Sequence, residues 1–408
     1  DEIYRLVNTR FQEGKMIQRG TITYPAVGPT MKKDFPEVVR NTRIYYNSDM
    51  LVRRDDQQIA ISPGLYSNND FFKMFDFEIL AGDRNHLLEE TNQLVLAETL
   101  ARKLFDIVDD NFSSVIGQSI ELDNDADPYQ ITGVCTDPPN NSSLDFQLIA
   151  SYPTIIRYFG EDSNSSWTFS DFYHYLELEP GTDVVALESK FATFSEQYFK
   201  GAEVSGSHEE FELQALTDAH LYSTDLEYEI TKTNNGRMVW SLLLIAFFIL
   251  LIAWINYINL SSIRVIERAK EVGVRKVIGA AKKQLIQQFL TEAAVVNVLS
   301  VGLALVLVLL IQPWFNSCLD TDLSLLSFFD IEERPVYLVW GLIVLFLFGV
   351  LSSGMYPAWL LTRHDTANVL KGIFQKSKGS NYLRKGLVIF QFTASIALVV
   401  GTLLVYQQ

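Results

Sequence analysis

One apolar stretch decides how this chain must fold: residues 238–259, which read MVWSLLLIAFFILLIAWINYIN. The stretch contains no Asp, Glu, Lys, Arg or His. At 1.5 Å per residue, a helix of this length crosses a hydrocarbon core about 30 Å thick. Three further runs without these residues follow, at 293–312, 336–361 and 386–406. Buried helices of soluble proteins are usually shorter, so the four runs predict an α-helical bundle of four transmembrane helices.

The charges between these runs predict which side of the membrane each link faces. Residues 260–292 carry seven Lys and Arg against three Asp and Glu, and residues 362–385 carry six against one. Residues 313–335 carry one base and five acids. Cytoplasmic loops are enriched in Lys and Arg, so the two basic links are predicted to be cytoplasmic and the acidic link outside. Residues 1–237 then also lie outside.

The leading segment carries most of the acidic charge. The whole chain has a net charge of −16, and residues 1–237 alone hold 19 bases and 40 acids. This balance argues against nucleic acid binding and favours a water-facing exported module. Its patterns predict a mixed α+β domain. Residues 92–105 read as an apolar run leading into an amphipathic helix, and residues 119–134 read as a hairpin.

The two ends of the chain lead to a further expectation. The chain opens with DEIYRLVNTRFQEG, which has no initiator Met and no apolar run. An exported domain needs an export signal, so at least one more transmembrane helix is expected upstream. The last apolar run ends close to Gln408, so a second exported domain is expected to follow. The sequence would then be one half of a duplicated protein.

Signatures of enzymes and cofactor sites are missing from this sequence. The five histidines show no metal-ligand spacing, and there is no GxxxxGK[ST] nucleotide loop and no GxSxG elbow. Residues 123–127 resemble a calcium loop only superficially, because Pro128 and Val134 stand where glycine and glutamate are needed. Cys135 and Cys318 are expected to be separate semi-buried thiols, with a disulfide as the alternative. The chain is predicted to be non-catalytic and to bind no cofactor; an enzyme site built from scattered residues stays open.

The first basic link contains the most informative motif. Residues 271–280 read EVGVRKVIGA, in which apolar and charged residues are interleaved and two glycines interrupt the run. This pattern favours a short amphipathic helix that lies across the membrane surface and is kinked at both ends. The helix would either set topology alone or dock into a cytoplasmic partner.

Residues 267–292 around this core resemble the coupling segment of the FtsX-like permease family of ABC transporters. That family includes MacB-type macrolide exporters and lipoprotein-release permeases. Residues 64–83 and 131–149 resemble the MacB-type periplasmic core domain of the family. Residues 352–374, with SSGMYPAWLL and VLKGIF, resemble the end of its next transmembrane helix. Residues 383–408 resemble the helix that opens the second half of duplicated members.

The resemblance implies a multi-pass permease of the inner membrane that works with a separate cytoplasmic ATP-binding subunit. That subunit would bind ATP and Mg²⁺, and its movement would reach the exported domain through the helices, which is called mechanotransmission. Export of a peptide, an antimicrobial or a lipoprotein is the expected role. The alternative is an FtsX-like signalling subunit that activates a partner such as a cell-wall hydrolase without transport. Other implied partners are membrane lipid, a periplasmic adaptor with an outer-membrane channel, and a second permease half or copy.

Eight residues of the coupling segment are predicted to bind the ATP-binding subunit. They are Glu271, Val272, Gly273, Val274, Arg275, Lys276, Ile278 and Gly279. The three charged residues are expected to make polar contacts, and the two valines and the isoleucine to enter a groove. The first glycine would permit close approach, with helix packing as the alternative, and the second would end the helix in a left-handed conformation.

The sequence therefore predicts an exported domain at residues 1–237, followed by spans and links in alternation. The spans are 238–259, 293–312, 336–361 and 386–406, and the links are 260–292, 313–335 and 362–385. Asn256 and Asn259 are expected to form a cross-helix hydrogen bond rather than to line a substrate path. Tyr356 and Pro357 are expected to end or kink their helix at the interface.

Overall fold

The chain divides into two compact units. A computed structural model describes residues 2–107, 109–123, 125, 127–139, 142–199, 207–319, 324–325, 335–363 and 378–406. The first unit is Asp1–Gly236 and the second is Arg237–Gln408. The first is a sheet with helices packed on it, and the second consists of long helices.

The described strands of the first unit join in one mixed sheet. They are β1 (Ile3–Gln12), β2 (Lys15–Gly20), β3 (Ile22–Thr23), β4 (Val38–Asn47), β5 (Met50–Arg54), β6 (Gln57–Ile61), β7 (Gly64–Ser67), β8 (Ile79–Gly82), β9 (Gln93–Ala97), β10 (Ser119–Leu122), β11 (Tyr129–Cys135), β12 (Leu148–Ser151), β13 (Phe172–Leu178) and β14 (Ser207–Ala215). Their order is β14-β1-β13-β4-β7-β12-β9-β11-β10-β5-β6, with β2 paired to β1, β3 to β13 and β8 to β11. The β12–β7 and β11–β9 pairs are parallel, and the other pairs are antiparallel.

Short helices cover this sheet. They are α1 (Val27–Asp34), α2 (Phe71–Met74), α3 (Glu98–Phe105), α4 (Tyr152–Phe159), α5 (Val184–Glu188), α6 (Phe191–Tyr198) and α7 (Leu216–Ala219). The mixed α+β prediction is therefore confirmed. The structure also confirms the strand-to-helix pattern at β9 and α3. The predicted hairpin is β10 and β11, in which Ser119 pairs with Gln130 and Ile120 with Tyr129.

The core lies on both faces of the central strands. Side chains alternate between the faces of a strand, so consecutive apolar residues fill two different layers. In β9, Leu94 and Leu96 belong to one apolar cluster, together with Leu100 of α3. Val95 belongs to a second cluster on the opposite face, together with Phe71 of α2. The apolar run of this strand thus reflects burial on both sides.

A third cluster covers the other end of the sheet, where α1 and α6 pack on β1, β13 and β14. Here α1 crosses the sheet at Gly28, and this crossing requires glycine. A Cβ at Gly28 would stand 2.2 Å from Nδ1 of His174 and 2.3 Å from Nδ2 of Asn41. The imidazole of His174 is fully enclosed, and its Nε2 lies 2.9 Å from the Tyr24 carbonyl oxygen. The structure therefore places this histidine in the packing of the exported domain.

The second unit contains four long helices over its described residues. They are α8 (Gly236–Val277), α9 (Lys282–Leu319), α10 (Pro335–Arg363) and α11 (Lys378–Tyr406). Two of them are long and apolar enough to cross a membrane, over Gly236–Tyr257 and Lys282–Cys318. The described apolar parts of α10 and α11, Val339–Leu351 and Lys385–Gly401, are shorter. Two candidate spans are thus found, and the count of four stays a prediction.

The helices are longer than the predicted spans. With 42 residues, α8 is about 63 Å long and continues through Gly273 without interruption. The prediction of a separate short helix that begins near Gly273 is therefore wrong. One glycine destabilises a helix by only about 1 kcal/mol, which contacts of the neighbouring residues offset. The helix α9 passes through Pro313, and α10 does not end at Pro357. An internal proline removes one backbone hydrogen bond, which a packed helix tolerates.

Candidate functional site

The predicted coupling segment forms the turn of a helical hairpin. The helix α8 ends at Val277 and α9 begins at Lys282. The Gly279 N–H donates to the Lys276 carbonyl at 3.1 Å, and the Ala280 N–H donates to the Arg275 carbonyl at 2.9 Å. These two bonds form a Schellman helix end, in which the residue after the helix needs a positive φ.

Gly279 meets this requirement with a φ of +103°. The expectation that it ends the helix is confirmed. A Cβ at this position would meet nothing within 4 Å, so the backbone conformation and not crowding favours glycine here. The turn consequently reverses the chain within four residues and places α9 beside the end of α8.

Polar side chains connect the two helices of the hairpin. Arg275 Nη2 donates to Glu271 Oε1 at 2.6 Å, one helical turn away. Arg275 Nη1 donates to Gln288 Oε1 of α9 at 2.8 Å, and Gln288 Nε2 donates to Glu292 Oε1 at 3.2 Å. We call these four residues, Glu271, Arg275, Gln288 and Glu292, the hairpin clamp. Two of the residues predicted to contact a partner are therefore already engaged with each other inside the chain.

The apolar residues of the segment divide into a buried and an exposed group. Val272 is 6% exposed, Gly273 is buried, and Leu285 of α9 is 3% exposed. By contrast, Val277 is 66% and Ile278 80% exposed. The prediction that Val272 enters a partner's groove does not agree with its burial in this structure, because its surface is already covered within the chain.

The exposed group lies at the end of the hairpin. Val274, with 47% exposure, joins Val277 and Ile278 there. We call these three residues the hairpin tip. Val277 was not among the predicted contacts, although its position in the interleaved apolar pattern was visible. Lys282 and Lys283 follow the tip after three small residues, so bases flank this apolar surface in the sequence.

Within the second unit, α9 and α10 pack through small residues. A Cβ at Gly354 would stand 3.1 Å from the Ala293 Cβ, and one at Gly349 would stand 2.9 Å from the Asn297 Oδ1. Close approach at small residues is how helices associate in membranes. The same contact includes Trp254 of α8, whose ring centroid lies 4.8 Å from that of Phe348. The polar residue at this contact is thus Asn297, which the sequence analysis missed.

The cross-helix hydrogen bond expected of Asn256 and Asn259 stays a prediction. Asn256 is exposed on α8, and Asn259 is half-buried. A glycine five residues from another glycine in an apolar run is a signal that could have identified the contact in α10. An asparagine in the apolar run of α9 could have done the same for Asn297.

Within the first unit, an ion pair and hydrogen bonds hold the segment that precedes α8 against the sheet. Arg5 of β1 is 2% exposed and contacts four other side chains of this unit. Its Nη1 lies 2.5 Å from Glu229 Oε2 and 3.5 Å from Thr231 Oγ1. Its Nε donates to Gln214 Oε1 at 2.8 Å, and its Nη2 donates to Ser223 Oγ at 2.6 Å. One guanidinium therefore joins β1 and β14 to the segment before α8.

Backbone bonds continue this attachment to the start of α8. The Lys232 N–H donates to the Ser143 carbonyl at 2.9 Å, and Lys232 Nζ lies 2.8 Å from Asp145 Oδ2. The Gly236 N–H donates to the Leu221 carbonyl at 2.9 Å. The segment preceding α8 is therefore held by the exported domain up to its last residue.

The loop that resembles a calcium site has other partners. Asp125 accepts from Arg157 at 2.5 Å and from the Tyr129 hydroxyl at 3.1 Å, and Asp127 accepts from Arg157 at 2.9 Å. Burial is the largest single influence on Asp125 and raises its pKa. Hydrogen bonds from Tyr158 and Tyr129 act in the opposite direction, and the net pKa of Asp125 is below its usual value. The carboxylates that would have bound a cation are thus engaged by a base and hydroxyls.

Elsewhere in the described ranges, no group of three or more His, Cys, Asp or Glu is placed to hold a metal ion. Cys135 is buried and Cys318 exposed, and both are free thiols. They are separate, as expected, but neither is the semi-buried thiol that the sequence suggested.

Comparison with family models gives two matches. Residues 3–194 match the model of the MacB-like periplasmic core domain, and residues 243–366 match the C-terminal model of the FtsX-like permeases. The first match falls on the sheet domain. The second contains the hairpin and the helix contacts described above.

Curated relatives agree with these matches. The MacB macrolide export ATP-binding/permease protein of Mannheimia succiniciproducens is 32% identical over 114 residues, which are 28% of this chain and 18% of the relative. The MacB protein of Pasteurella multocida is 38% identical over 77 residues, 19% of this chain and 12% of the relative. The ABC transporter permease YtrF of Bacillus subtilis is 23% identical over 247 residues, 58% of this chain and 54% of the relative. The matches thus span at most about half of these relatives.

Two solved structures are also similar. A domain of a putative permease from Porphyromonas gingivalis has a TM-score of 0.45 and 19% identity, covering 52% of this chain and 89% of its own. The periplasmic region of MacB from Actinobacillus actinomycetemcomitans has a TM-score of 0.37 and 11% identity, covering 53% and 89%. The sequence matches decide the family: this chain belongs to the FtsX-like permease family of ABC transporters and carries a MacB-like periplasmic core domain.

Proposed function

We propose that this chain is the non-catalytic permease subunit of an ABC transporter and that it binds a separate cytoplasmic ATP-binding subunit through the hairpin tip. Nucleotide-driven movement of that subunit would pass along α8 to the exported domain by mechanotransmission. The expected role is export of a peptide, an antimicrobial or a lipoprotein across or away from the inner membrane.

The exposure of the hairpin tip is the observation that carries this proposal. Large apolar side chains at 66% and 80% exposure are unfavourable in water unless a partner covers them. Lipid covers such side chains within a span, but the tip lies 17 to 21 residues after Tyr257, where the apolar part of α8 ends. Because the segment between is rich in Lys and Arg, the tip is expected on the cytoplasmic side. An apolar end that enters a groove of a soluble subunit fits this position.

The relatives support the same reading. The MacB proteins are named as combined ATP-binding and permease proteins, and YtrF is named as a permease. The sequence of this chain contains no GxxxxGK[ST] loop. An ATP-binding subunit in a separate chain would supply the missing part, and ATP with Mg²⁺ would be bound there.

The test is capture of this subunit by the full-length chain, purified in mild detergent from its own cells. An ATP-binding subunit is identified by mass spectrometry and by its nucleotide loop. Ile278→Asp and Val277→Asp are expected to lower its recovery at least about tenfold, because each places a charge in an apolar contact. Val185→Asp is the matched control, since Val185 is 76% exposed in the exported domain. Equal recovery with the tip variants and the control would refute the proposed docking surface.

Reversal of both Glu271 and Arg275 is a poorer test of docking. The two side chains pair with each other, so a double reversal can form the same pair with opposite polarity.

Export and signalling would both use this interface, so the protein that binds the exported domain distinguishes them. A co-purifying adaptor with an outer-membrane channel favours export, whereas a cell-wall hydrolase favours signalling. A second permease half or copy is expected in either case.

A further inference from the structure

We infer that Arg275 acts inside the chain, as the positioning residue that fixes the hairpin tip to α9, and that it does not contact the ATP-binding subunit. This inference rests on the proposed function for the role of the tip. The fixing itself is a property of this chain alone and is measurable without a partner.

Arg275 contributes to the turn with both its backbone and its side chain. Its carbonyl accepts the Ala280 N–H at 2.9 Å, which closes the helix end. Its guanidinium donates across the turn to Gln288 at 2.8 Å and back to Glu271 at 2.6 Å. Because Gln288 lies in α9, the side chain connects the two helices that flank the tip.

The bond to Gln288 matters more to the tip than the pair with Glu271. Glu271 and Arg275 are 54% and 46% exposed at their side chains, and an exposed pair one turn apart contributes little to stability. The Glu271 carboxylate restricts the guanidinium, so that Nη1 stays directed at Gln288. Gln288 is itself restricted by its bond to Glu292 at 3.2 Å. The clamp is thus a series of side chains, each held in position by a hydrogen bond to the next, that runs from α8 to α9.

The clamp lies between the buried and the exposed apolar residues of the hairpin. Val272 and Leu285 are buried, whereas Ile278, three residues after Arg275, is 80% exposed. A displacement of Ile278 by a partner would therefore reach α8 and α9 together. Without the clamp, the four-residue turn could move while the two helices stay in place.

Two neighbouring glutamines provide a matched comparison. Gln288 belongs to the clamp, while Gln287 is exposed beside it and its backbone carbonyl accepts from Thr291. In the full-length protein, Gln288→Leu is expected to raise amide exchange over residues 276–284 about fivefold, the equivalent of one net hydrogen bond. Gln287→Leu is expected to change it less than about twofold, as for other surface substitutions.

A charge swap separates the clamp from a direct contact. Glu271→Arg and Arg275→Glu each break the pair and are expected to raise exchange over the same residues. The double variant E271R/R275E restores the pair with opposite polarity but not the donor to Gln288, so exchange is expected to stay raised, to within about twofold of its level in Gln288→Leu. It is also expected to capture the ATP-binding subunit to the same extent as Gln288→Leu does.

Several outcomes would overturn the inference. Unchanged exchange in Gln288→Leu, or wild-type exchange in the swapped double variant, would show that the bond from Arg275 to Gln288 does not hold the turn. A tenfold or greater loss of capture in the double variant relative to Gln288→Leu would show that Glu271 or Arg275 contacts the partner directly. If the wild-type chain captures no ATP-binding subunit, the proposed function alone fails, and the exchange result still decides whether the clamp exists.

Discussion

At the scale of single residues, His174 shows how far burial can change a side chain's chemistry. Its Nε2 lies 2.9 Å from the Tyr24 carbonyl, and its Nδ1 lies 3.2 Å from Asn41 Nδ2. A neutral imidazole makes both hydrogen bonds: its Nε2–H donates to the Tyr24 carbonyl, and its Nδ1 accepts from the Asn41 amide. Burial, with a smaller contribution from the nearby Arg43 charge, lowers the pKa of His174 to about 3.

This depressed pKa predicts a loss of stability in mild acid. Below pH 6.5 the unfolded chain binds a proton at this position, whereas the folded domain does not until about pH 3. Stability therefore falls as the pH falls through this window, by about 2 kcal/mol between pH 6.5 and 5. Amide exchange in β13 of the full chain, corrected for its intrinsic pH dependence, measures this loss. His174→Asn should flatten the dependence and lower stability at pH 7, while His208→Asn, at an exposed site, should do neither.

The two thiols are a second prediction at this scale. Burial raises the pKa of Cys135 to about 12, and its Sγ lies 3.7 Å from the Leu96 carbonyl oxygen. At pH 8 its thiol is protonated and enclosed, so it should not react with a disulfide reagent. Cys318 is exposed and should react. One thiol per chain is expected to react in the folded protein, and two after denaturation. Reaction of both thiols before denaturation would contradict the burial of Cys135.

At the scale of elements, hydrophobic periodicity predicted those helices and strands whose pattern lies within one short segment of sequence. The α3 helix and the β10–β11 hairpin follow from patterns within about 16 residues. Val272 is buried within the chain, which the apolar pattern of its own segment does not show. The apolar face of one helix does not reveal whether a partner or the next helix of the same chain covers it. For the same reason the strand order of the sheet, with β1 between β13 and β14, was not predictable from local patterns.

Glycine positions illustrate the same limit. Gly279 was predicted correctly because a helix end requires a local backbone conformation, here a φ of +103°. The helix interruption expected at Gly273 is absent, because a glycine inside a helix only weakens it by an amount that surrounding contacts offset. Gly349 and Gly354 act through a neighbouring helix, and their spacing in the apolar run could indicate a contact but not the helix that makes it.

The attachment of the segment before α8 predicts a strong effect at Arg5. Replacing Arg5 by Met would leave Glu229, which is 11% exposed, without its counter-charge. Breaking a buried pair in this way costs about 3–5 kcal/mol. Arg19→Met is the matched control, because its partner Glu212 is 49% exposed and such pairs contribute less than about 1 kcal/mol. Amide exchange in β1 and β14 compares the two variants, and equal effects would show that Arg5 is not the residue that holds this segment.

At the scale of the whole molecule, charge and hydropathy carry information that no single contact does. The exported segment is strongly acidic, while the links predicted to be cytoplasmic are basic. Lys and Arg near the ends of spans set orientation, whereas acidic residues contribute little. The basic residues around the hairpin therefore predict that the tip is on the cytoplasmic side, and that residues 1–237 are on the other side.

This arrangement predicts opposite labelling at two exposed sites. Val185 lies in the exported domain and is 76% exposed, and Gln287 lies on the exposed side of the hairpin. In a chain with Cys318 replaced by Ser, Val185→Cys should react with a membrane-impermeant maleimide on intact spheroplasts, and Gln287→Cys should not. Both should react once the membrane is permeabilised, which shows that each site is accessible in itself. Cys135 can remain, because its thiol is buried. Labelling of Gln287→Cys alone in intact cells would invert the topology and, since an ATP-binding subunit works where ATP is present, would also remove the tip from the reach of that subunit.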